Sequence, residues 1–183
     1  MILPPEKINE IKVALDSAKK PVFFFDDDAD GLCSFLLLYR YVGEGKGVVV
    51  KTTSSLSKDW AFRAKDADVV FVLDVPEIEQ EFIDDVKMPV YWLDHHMPVD
   101  LKGVKYFNPR SYKTDVYIPT TRIAYEVVKQ DIWLAAIGCV ADWYMPDFKD
   151  DIIKNYPELL DKSVNDPETA LFESNAGKLA RMF

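Results

Sequence analysis

Acidic and imidazole side chains fall in four short clusters along this 183-residue sequence. The first is Asp26-Asp27-Asp28-Ala29-Asp30-Gly31, the second the lone Asp74, the third Asp94-His95-His96, and the fourth Asp142. His95 and His96 are the only histidines in the chain, and they directly follow an aspartate. Carboxylate oxygens combined with imidazole nitrogen suit manganese best, then magnesium, zinc or iron. So many carboxylates in one place would repel one another strongly unless cations lay between them. Two ions about 3.5–4 Å apart can bridge a water, lower its pKa, and clamp the attacking and leaving oxygens of a phosphoryl group. The chemistry these residue types suggest is phosphoester hydrolysis.

Each cluster also has a plainer reading. The alternate aspartates followed by glycine fit a calcium loop, but that pattern needs a glutamate six residues after its glycine, and position 37 is leucine. Asp74 alone fits a strand-end turn or a helix cap, and Asp142 alone fits a surface acid near a helix end. The histidine pair is harder to explain away, because both of the chain's imidazoles sit at one strand end.

The elements that must position these residues follow from the apolar pattern. Val22–Phe25, Val48–Val50, Val69–Leu73, Val90–Leu93 and, more weakly, Val104–Phe107 read as strands. Residues 5–19, 32–42 (opened by Gly31, closed at Gly43), 78–86, 120–130, 132–143 and 149–160 read as helices. Continuously apolar strands alternating with helices indicate an α/β, doubly wound, mainly parallel five-stranded sheet with helices on both faces and a helical C-terminal third. Ligands of such sheets bind beyond the carboxyl ends of the strands. Three of the four clusters directly follow a strand, so that edge should collect them.

Composition narrows the class of protein. An apolar fraction of 49% excludes a disordered chain, and no apolar run approaches the roughly 18–20 residues of a membrane span. The N-terminus lacks the basic-then-apolar pattern of a secretory signal. Cys33 and Cys139 sit in apolar helical stretches and read as reduced core thiols, with no cysteine cluster for structural zinc. A cytoplasmic location is expected. The net charge of −9 argues against an extended phosphate-binding surface. Two divalent cations would raise it by four, to −5, so a long nucleic acid would still need help from elsewhere.

Taken together, Phe25-Asp26-Asp27-Asp28-Ala29-Asp30-Gly31-Leu32, Asp74, Asp94-His95-His96 and Asp142 resemble the DHH phosphoesterase superfamily over about residues 20–145. The first motif is most similar to the RecJ-like branch of single-strand nucleases, including archaeal members. The resemblance implies two divalent cations, with manganese preferred over magnesium. It places Asp28 on one ion with Asp26 in support, and Asp30, His95 and Asp142 on the other. Asp74 would bridge the two, His96 would face the substrate phosphate, and Asp94 would orient a histidine. Phe107-Asn108-Pro109-Arg110 is similar to the stretch after the family's DHH motif, where Arg110 is either a phosphate clamp or a solvated loop arginine. Family members usually carry a second domain with a glycine-rich, histidine-ending motif, and nothing of that kind follows Asp142. Residues 1–183 therefore read as one catalytic domain with a core over about 20–145. Residues 146–183 read as a helical extension or interdomain connector, since Ser174–Arg181 resembles the start of a connecting helix.

Weaker signals remain. Lys51-Thr52-Thr53-Ser54-Ser55 fits either a nucleotide contact or a polar loop. Trp92 and Trp133 read as core; Trp60 is open; Trp143 and Tyr144, next to Asp142, are candidates for a substrate wall. The expected activity is hydrolysis of single-stranded DNA or RNA from an end. The alternatives are cleavage of short oligoribonucleotides or cyclic dinucleotides, or a replication-complex scaffold derived from the same fold. Partnership with replication or repair proteins fits either class. An inorganic pyrophosphatase of the superfamily usually has histidine earlier in the first motif, where this chain has Phe or Asp.

Overall fold

β-Branched and aromatic runs form five strands: β1 (Pro21–Asp26), β2 (Lys46–Val50), β3 (Val69–Leu73), β4 (Val90–Leu93) and β5 (Val104–Phe107). The structure, a computed structural model, describes residues 2–51, 55–113 and 115–182. Every pairing is parallel, in the order β2-β1-β3-β4-β5. Parallel neighbours need crossovers. These are α2 (Ala29–Val42), a 3-10 helix (Lys58–Ala64), α3 (Gln80–Asp85) and the loop between β4 and β5. Helix α1 (Pro5–Ser17) precedes the sheet; α4 (Thr120–Val128), α5 (Ile132–Ala141), α6 (Lys149–Asn155), α7 (Pro167–Glu173) and α8 (Asn175–Ala180) follow it. The expected α/β architecture with a helical C-terminal third is the one that forms.

Strand side chains alternate between two cores, as the two-residue period requires. Phe23, Phe25, Phe71, Leu73, Leu93 and Phe107 pack with apolar residues of α1, α2, α4 and α5. Phe24, Val48, Val70, Val72, Val90 and Trp92 pack with α3 and the 3-10 helix. Because β1, β3 and β4 are buried on both faces, they read as unbroken apolar runs rather than alternating ones. Trp92 is core, as expected, and its indole N–H donates to the Val75 carbonyl at 3.0 Å. Trp133 and Trp60 are half-buried against the core. Cys33 and Cys139 are free, buried thiols.

The boundaries differ where local chemistry outweighs periodicity. Lys58–Ala64 was not expected to be helical, since a three-residue turn leaves no 3.6-residue signature. The helix expected over 149–160 stops at Asn155, because Pro157 disfavours a helical backbone at Tyr156, which leaves the helix at φ −139° and ψ 59°. Helix α7 lies inside the stretch read as a helical extension or connector, where no bounds were given for it; Asp166 caps it by accepting from the Thr169 N–H and Pro167 sits in its first turn. Gly43 does close α2, in the left-handed region with φ 82°. Thr52, Thr53 and Ser54 of the polar loop lie outside the described residues. Among the described residues no helix is long and apolar enough to cross a membrane.

The register sets up the site. Phe25 aligns with Leu73, Leu73 with Leu93, and Leu93 with Phe107. The residues immediately after them, Asp26, Asp74, Asp94 and Asn108, therefore share one edge of the sheet. The Asp74 N–H donates to the Leu93 carbonyl (3.0 Å) and the Asp94 N–H to the Phe107 carbonyl (3.2 Å), extending the ladder into the acidic row.

Candidate metal centre

The turn from β1 into α2 delivers to the site three of the four aspartates in residues 26–30. Asp26, at the end of β1, accepts from the Asp27 N–H at 2.9 Å. Asp28 caps α2 by accepting from the Gly31 N–H at 2.8 Å, so its carboxylate is fixed at a helix N-terminus. Asp30 lies in the first turn and is buried. The turn closes this tightly because residue 31 is glycine: a Cβ there would sit 2.5 Å from the Asp26 carbonyl oxygen.

Asp30 is held from a direction the sequence did not announce. Its two carboxylate oxygens accept from the backbone N–H groups of Thr120 (2.8 Å) and Thr121 (2.7 Å), the unpaired donors at the start of α4. The Thr121 hydroxyl donates to the Asp30 carbonyl at 2.9 Å, and the Thr120 hydroxyl donates to Asp74 Oδ1 at 2.9 Å. Thr120 and Thr121 are residues of this site that motif reading missed; their only signal was a polar pair at the first turn of a helix after Pro119.

Asp74 leaves β3 with φ +62°, a conformation few non-glycine residues adopt, and Asp142 is followed by Trp143 at φ +54°. Left-handed backbone at these positions costs energy that the surrounding structure must offset, and such residues cluster at functional sites. In both places it turns the chain at an acidic residue of the cluster.

Three donor sets result, with donor atoms in each within 4.8 Å of one another: Asp26, Asp28 and Asp74; Asp74, His95 and His96; Asp30, His95 and Asp142. Asp74 and His95 each belong to two sets. His95 Nε2 lies 3.3 Å from Asp74, 3.6 Å from Asp142 and 4.0 Å from Asp30. Every metal-ligand candidate named from sequence is thus brought to one centre, and His96 is within the same reach.

The electrostatics fit a cationic occupant. Burial, then the neighbouring charge of Asp142, pushes the Asp30 pKa up to about 8. Burial, then Asp30 and Asp28, drives Asp74 well above the usual carboxylate range. Burial raises Asp142 to about 6. Burial, then His96, lowers His95 to about 4, so His95 is neutral at physiological pH and cannot offset the acids. His95 Nδ1 and Asp142 Oδ2 are buried with no hydrogen-bond partner. A neutral imidazole among acids that resist joint ionisation is a donor set suited to divalent cations.

A second polar layer surrounds His96. Asp94 Oδ1 lies 2.7 Å from His96 Nδ1, and its Oδ2 accepts from the His96 N–H (3.0 Å), the Tyr106 hydroxyl (3.1 Å) and Asn108 Nδ2 (3.3 Å). Asp94 therefore orients His96 rather than His95, and its hydrogen bond raises the His96 pKa. Asn108 Nδ2 also donates to the His96 carbonyl at 2.9 Å, and Asn108 Oδ1 accepts from the Arg110 N–H at 2.9 Å. Arg110 is half-buried; its Nε has no partner and a terminal nitrogen reaches Met97 Sδ at 3.5 Å, so its guanidinium is not engaged by an acid among the described residues.

Beside the acids, a cleft of about 360 Å³ is lined by Asp27, Asp28, Asp30, Asp142, Leu171 and Arg181. Trp143 and Phe172 are both more than half exposed, and their rings meet edge to face at 5.8 Å. The Arg181 guanidinium lies 5.8 Å from the Phe172 ring. Tyr144 is half-buried.

The model of the DHH family, N-terminal domain, matches residues 22–157. RecJ from Thermus thermophilus, in complex with Mn2+, is similar in structure with a TM-score of 0.60 at 17% identity, covering 79% of this chain and 25% of that one. The DHH domain of a protein described as a member of a family of ribosomal proteins gives 0.68 at 15%, covering 96% and 50%. CDC45 from Entamoeba histolytica gives 0.53 at 19%, covering 76% and 34%. At these identities the likeness is one of fold, and the chain spans between a quarter and a half of these structures. No curated protein matches the chain in sequence.

Proposed function

The chain belongs to the DHH family over residues 22–157, and from that premise we propose that it is a metal-dependent phosphodiesterase acting on single-stranded nucleic acid from an end. The observation that carries this reading is the position of Asp74, shared between the Asp26–Asp28 donor set and the set containing His95. Asp26, Asp28 and Asp74 would hold one divalent cation, and Asp30, His95, Asp142 and Asp74 the other. Manganese is preferred and magnesium is the alternative. Such a pair supplies Lewis acidity toward a phosphoryl group and lowers the pKa of a water.

The protein's own groups do the rest. His96, kept protonated to higher pH by Asp94, offers positive charge to a phosphate oxygen. Arg110 adds a planar, unpaired guanidinium on the same side. Trp143 and Phe172 form an aromatic wall for an unpaired base, with Arg181 beside it for the adjoining phosphate. Residues 1–183 act as one catalytic domain, with α6–α8 as its helical extension or connector. A cytoplasmic location and partnership with replication or repair proteins go with this activity.

Two other substrates, short oligoribonucleotides and cyclic dinucleotides, would use the same centre. A scaffold role is favoured by the likeness of fold to CDC45, and opposed by the presence of every acid and imidazole in the donor sets. The test is incubation with manganese and end-labelled single-stranded DNA, single-stranded RNA, a dinucleotide and a cyclic dinucleotide, with Asp74→Ala as control. Release of mononucleotides from the single strands, lost in the control, is the expected result. No cleavage of any substrate, or equal cleavage by the control, would overturn the assignment.

A further inference from the structure

The opposite end of the sheet carries a second concentration of charge, of the other sign. A pocket of about 380 Å³ at the amino ends of β1 and β2 is lined by Lys19, Lys20, Lys46, Phe62, Arg63 and Lys65. Glu44 and Asp66 also border it, and Asp68 is held nearby by the backbone N–H groups of Lys19 and Lys20 at 2.7 and 3.0 Å. In a chain of net charge −9, some exposed cations find an acid, as Lys7, Lys12, Arg40, Lys105 and Lys129 do. None of the five cations at this pocket is in an ion pair among the described residues. Their charge is left facing solvent, where it raises the local concentration of anions.

The pocket also holds an aromatic side chain without a core. Phe62 is 67% exposed, and the Arg63 guanidinium lies 4.9 Å from its ring centre. An exposed ring set among cations is the pairing that single-stranded nucleic acid exploits, bases stacking on the ring while phosphates meet Lys and Arg. An acidic protein segment would use the cations and leave the ring unexplained.

We propose that this pocket is a second binding site for single-stranded nucleic acid, with a base on Phe62 and backbone phosphates on Lys46, Arg63 and Lys65. It lies a strand length from the metal centre, about 17 Å along β1 at roughly 3.3 Å per residue. A strand held there keeps its phosphates away from the acidic edge while one end remains free to reach it. The site stands on its own residues and does not depend on hydrolysis at the metal centre.

The experiment is binding of a fluorescein-labelled oligodeoxythymidylate of about 20 nucleotides, followed by anisotropy in EDTA across a salt series. Without metal the acidic edge repels phosphate, so binding reports the basic edge. Lys46→Glu with Arg63→Glu should weaken binding by at least about tenfold at low salt and flatten the salt dependence. Phe62→Ala should weaken it by about tenfold, with salt dependence unchanged. Asp74→Ala should bind as the parent does, which separates this site from the metal centre. Parent-like affinity in both pocket variants, with circular dichroism unchanged, would overturn the proposal. So would displacement of the oligonucleotide by polyglutamate of similar length and charge as readily as by unlabelled strand.

Discussion

The hydroxyl of Thr120, at the first turn of α4, donates a 2.9 Å hydrogen bond to Oδ1 of Asp74, forty-six positions earlier at the end of β3. It ties the acid shared by two donor sets to a helix that carries none of the sequence motifs. Partners of this kind fix the direction of a ligand's lone pairs. Thr120→Val keeps the shape and removes the donor, and should weaken manganese binding by about 10- to 100-fold. Thr120→Ser should stay near the parent. Isothermal titration measures both; equal affinity in the valine variant would leave Thr120 with a packing role only.

Asp74→Asn preserves the Thr120 hydrogen bond, since the amide oxygen still accepts, while removing an ionisable carboxyl from among Asp30, Asp28, Asp94 and Asp142. Manganese-dependent cleavage should fall to background. The melting temperature in EDTA should hold or rise, because a neutral group replaces one whose ionised form the site disfavours. A lower melting temperature together with retained cleavage would contradict the role given to Asp74.

His96 is oriented by Asp94 at 2.7 Å, and that contact raises its pKa. In Asp94→Asn the raising partner is gone, so the imidazole should lose its proton at lower pH, and the alkaline limb of the pH–rate profile should move down with it. Proton NMR titration of the metal-free protein reads the same shift directly. His96→Ala should retain manganese and lose turnover by roughly 10²- to 10⁴-fold. Loss of metal in that variant would instead make His96 a ligand, as its place in the Asp74–His95 set allows.

Free of metal, the fold should lose stability between about pH 7 and pH 8.5. Asp30 keeps its proton in the fold up to about 8, whereas an unfolded aspartate loses it near about 4. The native state therefore binds more protons across this window, and stability falls as pH rises. His96, also raised, acts in the same direction. His95, lowered to about 4, is largely neutral in both states here and contributes little. Manganese requires deprotonated ligands, so the stabilisation it confers should grow over the same interval. Melting curves in EDTA and in manganese at the two pH values test this; a rise in EDTA stability with pH would refute it.

Much of this was legible from residues alone. The unbroken apolar runs at Val22–Phe25, Val69–Leu73 and Val90–Leu93 specified a parallel sheet buried on both faces, because only such strands dispense with polar alternation. Aspartates directly after those runs had to fall at one edge, since parallel strands end on the same side. The sequence thereby determined which acids and imidazoles meet. It did not determine how they are held. Asp30 takes two N–H groups from a helix ninety residues away, Asn108 reaches Asp94 and the His96 carbonyl through the alignment of β4 with β5, and Asp94 serves His96 rather than His95. The basic pocket draws Lys19, Lys46 and Arg63 from three separate connections. Distances of this kind arise from register and helix packing, which no local pattern encodes, so only the folded chain could decide them.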